Sequence, residues 1–177
     1  MMSIPLARPI PDCYWVEPGF FMAGEYPGHP MDIQARQRIT AFLEAGFNTF
    51  FDLTQEGELE PYEPLLYEYP RNRLECPISY QRFPIGDYGL PAKVHMKNIL
   101  DSLDSAIASG RKVYLHCWGG VGRTGTAVGC YLVRKGKTGE EALQQLERWW
   151  QAVPKHARFP RSPETDAQVQ FILNWKD

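Results

Sequence analysis

Apolar residues recur along this chain with two alternating periods. Short runs such as FNTFFDL (Phe47–Leu53), ISYQRFPI (Ile78–Ile85) and KVYLH (Lys112–His116) are bounded by glycine, proline or polar residues and predict buried strands. WVEPGFFMA (Trp15–Ala23) predicts one or two short strands about the Pro18-Gly19 turn pair. Between these runs the period lengthens to that of a helix. Met31–Ala45 predicts a helix with Asp32 as N-cap, Gly46 as its stop, and Ile33, Ile39, Phe42 and Leu43 on its buried side. Ala92–Ser109 carries Met96, Ile99, Leu100, Leu103 and Ile107 at helical spacing. Thr124–Lys135 and Thr138–Trp150 predict two more helices, the second opened by a T-x-x-E capping box at Thr138 and Glu141. A last helix is expected from about Glu164 to Trp175, with Ser162 as cap and Pro163 at its first position. The proline-punctuated, acidic stretch after Leu53 predicts a loop with a brief helix near Leu65–Tyr69. Strands separated by helices imply an α/β sandwich, a central and mostly parallel sheet flanked by helices. Residues 1–177 are expected to form a single domain, with residues 1–13 as an irregular arm rich in proline.

Charge narrows the function classes. A formal net charge of −2 argues against a general nucleic-acid binder, which carries a basic excess to neutralise phosphates. Cys13, Cys76, Cys117 and Cys130 form no CxxC pair, so neither a zinc knuckle nor a disulfide framework is expected, and free thiols suit a reducing cytosol. No run approaches the apolar length of a membrane span. These features predict a cytoplasmic protein with no metal and no cofactor.

The chemistry is concentrated in HCWGGVGRTG, His116–Gly125, which follows the strand at Lys112 and leads into a helix. A loop so placed aims several backbone N–H groups at one point, and the helix N-terminus adds a positive dipole, so the point favours an anion. Gly119, Gly120 and Gly122 let the backbone curl closely round it, with Trp118 and Val121 completing the loop. Arg123 holds two phosphate oxygens at once through its planar fork. Cys117 stands at the base of the cradle, where donors that bind phosphate also favour a thiolate. A lone cysteine at a strand end is more often a small buried hydrophobe. Five coordinated residue types in this spacing point instead to a nucleophile beneath a bound phosphoryl group.

This run resembles the H-C-x-x-G-x-x-R-[S/T] signature of the protein-tyrosine and dual-specificity phosphatases. PIGDYGLP at Pro84–Pro91, and GEL with a following Tyr at Gly57–Leu59 and Tyr62, liken it to the kinase-associated-phosphatase type and its bacterial relatives. The resemblance implies a phosphomonoester hydrolase acting on phosphorylated protein, with Cys117 as nucleophile, Arg123 as phosphate clamp and Asp87 as general acid. Asp87 lies thirty positions before Cys117 on a loop bounded by Gly86, Gly89 and Pro91. By itself, Asp-Tyr-Gly is equally good turn chemistry. His116 is expected to support the cysteine loop by hydrogen bonding, and Thr124 to donate to Cys117. SPETDAQVQFI is similar to a glutamine loop that positions water. Gln168 falls on its second glutamine and Glu164 where the first is expected, and the amide is expected to matter more than the carboxylate. Glu58 and Tyr62 are expected to border the site, and Cys76 to be the thiol that captures an oxidised Cys117.

Three other readings fit parts of the pattern. A phosphoinositide or inositol phosphate phosphatase usually needs lysines in the loop, and Trp118–Gly122 has none. A catalytically inactive phosphate-binding module does not require Cys117, Arg123 and Asp87 together. A sulfurtransferase or arsenate reductase also places cysteine before arginine, but without the acid loop and His116.

Overall fold

The computed structural model describes residues 7–73 and 76–177. Pro18-Gly19 turns the chain between β1 (Cys13–Glu17) and β2 (Phe21–Gly24), which pair antiparallel. The other strands are β3 (Thr49–Asp52), β4 (Ser79–Arg82) and β5 (Val113–His116), and the sheet order is β1-β2-β5-β3-β4. Only β1, at one edge, runs against the rest. Single-domain α/β architecture with a mostly parallel sheet is therefore what the alternation of periods predicted.

Both faces of the sheet are covered, which explains why its strands read as continuous apolar runs. Helix α1 (Asp32–Glu44) and the short α2 (Glu63–Glu68) pack on one face. On the other lie α3 (Lys93–Ala108), α4 (Gly122–Arg134), α5 (Gly139–Gln151) and α6 (Asp166–Leu173). Side chains of β5 alternate between the two cores: Val113 and Leu115 pack with α3–α6, Tyr114 with α1 and α2. The same alternation sends His116 to the α1 side, while Cys117, one residue on, joins the opposite core.

Several boundaries differ from the sequence reading, each for a local reason. Asp32 lies in the first turn of α1, with Met31 at the N-cap; its carboxylate pairs instead with Arg36 at 2.8 Å. Ile33 is 69% exposed because it lies off the face defined by Ala35, Ile39, Phe42 and Leu43. Helix α2 starts at Glu63 with Pro64 in its first turn, earlier than expected. Helix α4 starts at Gly122, not Thr124, so the phosphate loop winds straight into its first turn. The last helix starts at Asp166 under a Thr165 cap. The Ser162 hydroxyl is drawn away to donate to the Val121 carbonyl at 2.7 Å, and Pro163 follows a cis peptide outside the helix. Of the expected arm, residues 1–6 lie outside the described residues and Cys13 belongs to β1, while Ile10 is buried against it.

The capping box of Thr138 and Glu141 is formed as expected. Helix α5 buries Trp150, whose indole N–H donates to the Phe159 carbonyl at 2.6 Å. That bond ties down the segment after α5, which includes the 3-10 turn Pro154–Ala157. Trp149 is half-buried and stacks on Tyr14. Trp150→Ala should therefore destabilise the fold by about 3–5 kcal/mol in denaturant unfolding, the usual cost of emptying a large aromatic site. Trp150→Phe should lose less, keeping most of the volume. A loss under about 1 kcal/mol for the alanine variant would contradict this packing.

Candidate active site

Parallel pairing lines up the carboxyl ends of the strands. Gly24, His116, Asp52 and Arg82 are successive register partners across β2, β5, β3 and β4. The loop 117–121 rises from the end of β5 and lies directly on the end of β2. Gly120 has φ +74°, and a β-carbon there would stand 2.6 Å from the Glu25 nitrogen. Only glycine permits that approach without strain. The Tyr26 N–H donates to the Trp118 carbonyl at 2.9 Å, and Lys155 donates to both the Gly119 carbonyl, at 3.2 Å, and Glu25. No side chain caps α4 at Val121, so its first N–H groups open towards the loop's concavity.

The concavity is the floor of a cleft of about 320 Å³. Cys117, Trp118, Gly119, Val121, Gly122, Arg123, Asp87 and Glu164 all line it, so most of the expected site residues meet there. Its wall also contains Lys155, Arg158 and Phe159, which no sequence pattern singled out. Gly120 lies beneath the loop, against β2.

Arg123 is almost wholly buried, and its guanidinium is held on three sides. Its Nη atoms donate to Glu58 Oε2 at 2.8 Å and Oε1 at 2.5 Å, and to the Ile85 carbonyl at 2.9 Å. Asp87 Oδ1 approaches at 3.2 Å. Burial works against the Arg123 charge, but the bonds to Glu58 outweigh it and keep the group protonated. Burial likewise disfavours the Glu58 carboxylate, and Arg123 holds it below the ordinary range all the same. Glu58, expected to border the site, is thus a direct partner of Arg123. Asp87 sits on a tight turn closed by Gly89 N–H to the Gly86 carbonyl at 2.8 Å. Tyr88 there takes φ +55°, a strained value for a bulky side chain.

Behind Cys117 lies a buried polar chain. Tyr62 hydroxyl donates to His116 Nε2 at 2.6 Å, and His116 Nδ1–H donates to the Cys117 carbonyl at 3.1 Å. A neutral ring with its proton on Nδ1 satisfies both partners. Burial pushes the imidazole pKa down, which favours that neutral form. Asp52 stands 3.9 Å from Nδ1 and accepts from the Thr54 N–H, the Thr54 hydroxyl and the Tyr80 hydroxyl. Its burial alone would raise its pKa, but these donors help to lower it below the usual carboxylate range. Asp52 escaped the sequence reading; its signal was a single acid closing an otherwise aromatic strand.

Three expected contacts take another form. The Thr124 hydroxyl donates to the Gly24 carbonyl at 3.5 Å, stitching α4 to β2 and not to Cys117. Gln168 is fully buried behind Gly122, out of the cleft. Its Oε1 accepts the N–H groups of Glu164 and Thr165, both at 3.1 Å, and its Nε2 donates to Gly89 of the Asp87 turn at 3.4 Å. Cys76 precedes β4, at the opposite end of the sheet from Cys117, and accepts from Asn48 Nδ2 at 2.9 Å. A disulfide needs its Cα atoms within about 7 Å, so Cys76 is no partner for Cys117 in this fold. Among the described residues no group of three or more His, Cys, Asp or Glu side chains is placed to hold a metal, and no helix is long and apolar enough to cross a membrane.

A parallel sheet carrying a cysteine–arginine phosphate loop at its carboxyl end, faced by an acid turn, defines a protein-tyrosine/dual-specificity type of phosphatase domain. Residues 11–172 match the family described as "PTP-SAK: Swiss Army Knife protein, DSP-PTPase phosphatase domain", and the chain belongs to it. The structure of kinase associated phosphatase with serine replacing its catalytic-site cysteine superposes with a TM-score of 0.72, covering 91% of this chain and 90% of that one at 18% identity. Human cyclin-dependent kinase inhibitor 3 is 30% identical over 145 residues, 80% of this chain and 63% of that protein. Mouse protein tyrosine phosphatase domain-containing protein 1 is 32% identical over 102 residues, 54% of this chain but 13% of the relative's length.

Two variants test this arrangement. Gly120→Ala should abolish binding of orthovanadate, a phosphate analogue, while helical circular dichroism stays near wild type, because the loop no longer seats on β2. Tyr62→Phe leaves a buried imidazole nitrogen without its donor and should lower unfolding stability by about 1–3 kcal/mol. Unchanged vanadate affinity in the first, or unchanged stability in the second, would show that these contacts do not hold the loop.

Proposed function

We propose that the chain hydrolyses phosphomonoesters, phosphorylated tyrosine or serine and threonine residues of proteins, through a phosphocysteine at Cys117. The observation that carries this reading is the convergence on one cleft of Cys117, the uncapped first turn of α4, Arg123 and Asp87. The substrate phosphoryl group takes the place that Asp87 occupies on the Arg123 fork. Its equatorial oxygens bind the loop N–H groups and the guanidinium, donors already aimed at the place where charge develops. The Cys117 thiolate attacks phosphorus and the ester oxygen departs with the proton of Asp87. Water then attacks the phosphocysteine, Asp87 takes a proton from it, and thiolate and phosphate are released. Glu58 keeps Arg123 aimed throughout, and His116 fixes the backbone of Cys117.

The exposed aromatics Tyr88 and Trp118 at the cleft mouth suit an aryl or peptide substrate. Arg158 in the wall supports a second reading, an inositol phosphate or phosphoinositide. A panel of phosphotyrosine peptide, phosphoserine peptide and an inositol polyphosphate separates the two by their kcat/KM.

Cys117→Ser should abolish turnover of an aryl phosphate, since a serine hydroxyl stays protonated here. Arg123→Lys should be nearly as inactive, because one ammonium cannot reproduce the planar fork. Asp87→Asn should slow alkyl phosphates by about 10²–10⁴-fold and nitrophenyl phosphate far less. Activity in purified Cys117→Ser would refute the nucleophile, and equal losses on both ester classes would refute the acid.

A further inference from the structure

Trp118 and Glu25 border two cavities. One is the phosphate cleft. The other, of about 260 Å³, lies between the loop after β2 and the loop after β3, with Arg38 of α1 beside it. Its walls are tied to one another and to the phosphate loop. The Tyr26 hydroxyl donates to the Glu60 carbonyl at 2.6 Å, joining the two loops, while the Tyr26 N–H holds the Trp118 carbonyl at 2.9 Å. Arg38 donates to the Tyr26 carbonyl at 2.8 Å and the Pro27 carbonyl at 3.1 Å. A β-carbon at Gly28 would stand 2.6 Å from Tyr26 Cε1, so the backbone there packs directly on the ring. The second cavity is thus formed before any substrate arrives, which spares the cost of ordering it on binding.

Its ionic groups are almost all spoken for. Arg38 and Glu25 pair at 2.8 Å, and Glu25 also pairs with Lys155. His29 Nδ1 accepts the Met31 N–H at 3.0 Å, which a doubly protonated ring cannot do. The Glu60 carboxylate is exposed and has no hydrogen bond or ion pair among the described residues. The cavity therefore carries one uncompensated negative charge. Beside it lies apolar surface from Pro30, Leu59 and the Trp118 indole, which is 55% exposed. The neighbouring phosphate cleft has the contrary bias, with Arg158 in its wall and Arg123 at its floor.

We propose that this second cavity is a subsite for a basic side chain, arginine or lysine, that flanks the phosphorylated residue of a protein substrate. The aliphatic stem lies along Leu59 and Pro30, the cation meets the face of Trp118, and its head pairs with Glu60. A carboxylate beside an aromatic face suits a cation on a long apolar stem. An acidic side chain would meet a like charge there. Because the two cavities share Trp118 and Glu25, the residue read is one or two positions from the phosphorylated one, about 3–7 Å along an extended chain. The assignment deepens the protein-phosphatase reading proposed above and rests on it, since an inositol phosphate has no cation to place in this cavity.

Steady-state kinetics of the full chain test it, on peptides built around phosphotyrosine and around phosphothreonine. Arginine, alanine or glutamate is placed in turn at each position from two before to two after the phosphorylated residue. At one of these positions arginine should raise kcat/KM over alanine by about three- to tenfold, the size of one exposed ion pair with a cation–π contact. Glutamate should be the poorest there, and added salt should shrink the arginine preference. Glu60→Gln should bring the arginine-to-alanine ratio close to one. Glu60→Lys should reverse the order and make glutamate the best, an outcome that a damaged fold does not produce. Each ratio is taken within one variant, so it does not depend on how much of that variant is folded. Peptides cleaved without an arginine preference at any position, or a preference that survives Glu60→Lys, overturn the proposal and leave the protein-phosphatase reading standing. If nitrophenyl phosphate is cleaved in a Cys117-dependent way and none of the peptides is, the protein-substrate reading fails and the proposal fails with it.

Discussion

The seat of the phosphate loop on the end of β2 constrains everything around it. Gly120 meets the backbone at Gly24 and Glu25 with no room for a side chain, and Gly24 in turn has no room beside Cys13 of β1, where a β-carbon would stand 2.6 Å from Cys13 Cβ. Three layers of backbone therefore touch through two glycines. Close packing of that kind admits one loop conformation, because interiors are dense and resist small displacements. With the loop fixed, the first turn of α4 has one direction, and Arg123 one place from which to reach the cleft. Thr124 reinforces the seat from the helix side by bonding to the same Gly24.

The second constraint is electrostatic. Arg123, Asp52 and His116 are buried, and each is satisfied by specific partners. Breaking such a pair from one side strands a charge and costs several kcal/mol, typically about 3–5. The polar chain from Tyr80 through Asp52 to His116 and Tyr62 therefore favours one arrangement over near-native alternatives. Its far end is the carbonyl of Cys117, so a choice made at β3 and β4 fixes the peptide that carries the sulfur.

The loop was legible in the sequence because its parts are contiguous: a strand, a cysteine, glycines and an arginine spaced to curl round one anion. Helix α5 was legible for the same reason, the two halves of its capping box, Thr138 and Glu141, being three positions apart. What remained hidden depends on register or competition. Asp52 lies opposite His116 only because β3 and β5 pair in parallel with that alignment, and an aromatic run does not reveal alignment. Ser162 and Thr165 are both good caps; the Val121 carbonyl decided between them by claiming the serine hydroxyl. Gln168 is buried because it lies on the inward side of the first turn of α6, whereas Glu164 precedes the helix and lines the cleft. Lys155 is held at the wall by bonds to Asp12, Glu25 and the Gly119 carbonyl, and Arg158 adjoins Phe159, whose carbonyl takes the Trp150 indole bond; neither set of contacts has a sequence pattern.

In the proposed mechanism, the carboxylates gathered on Arg123 make the cleft an ion exchanger. Glu58 grips the fork through both its oxygens, and Asp87 adds one oxygen from a strained turn. An incoming anion has to outbid Asp87 for the same guanidinium, so a singly charged, weakly coordinating ion gains nothing by entering. A dianion with several oxygens engages the fork and the loop N–H groups together, and displaces the carboxylate at a net gain. In the proposed mechanism, the carboxylate that such a monoanion would have to evict is the one that a phosphate ester puts to use.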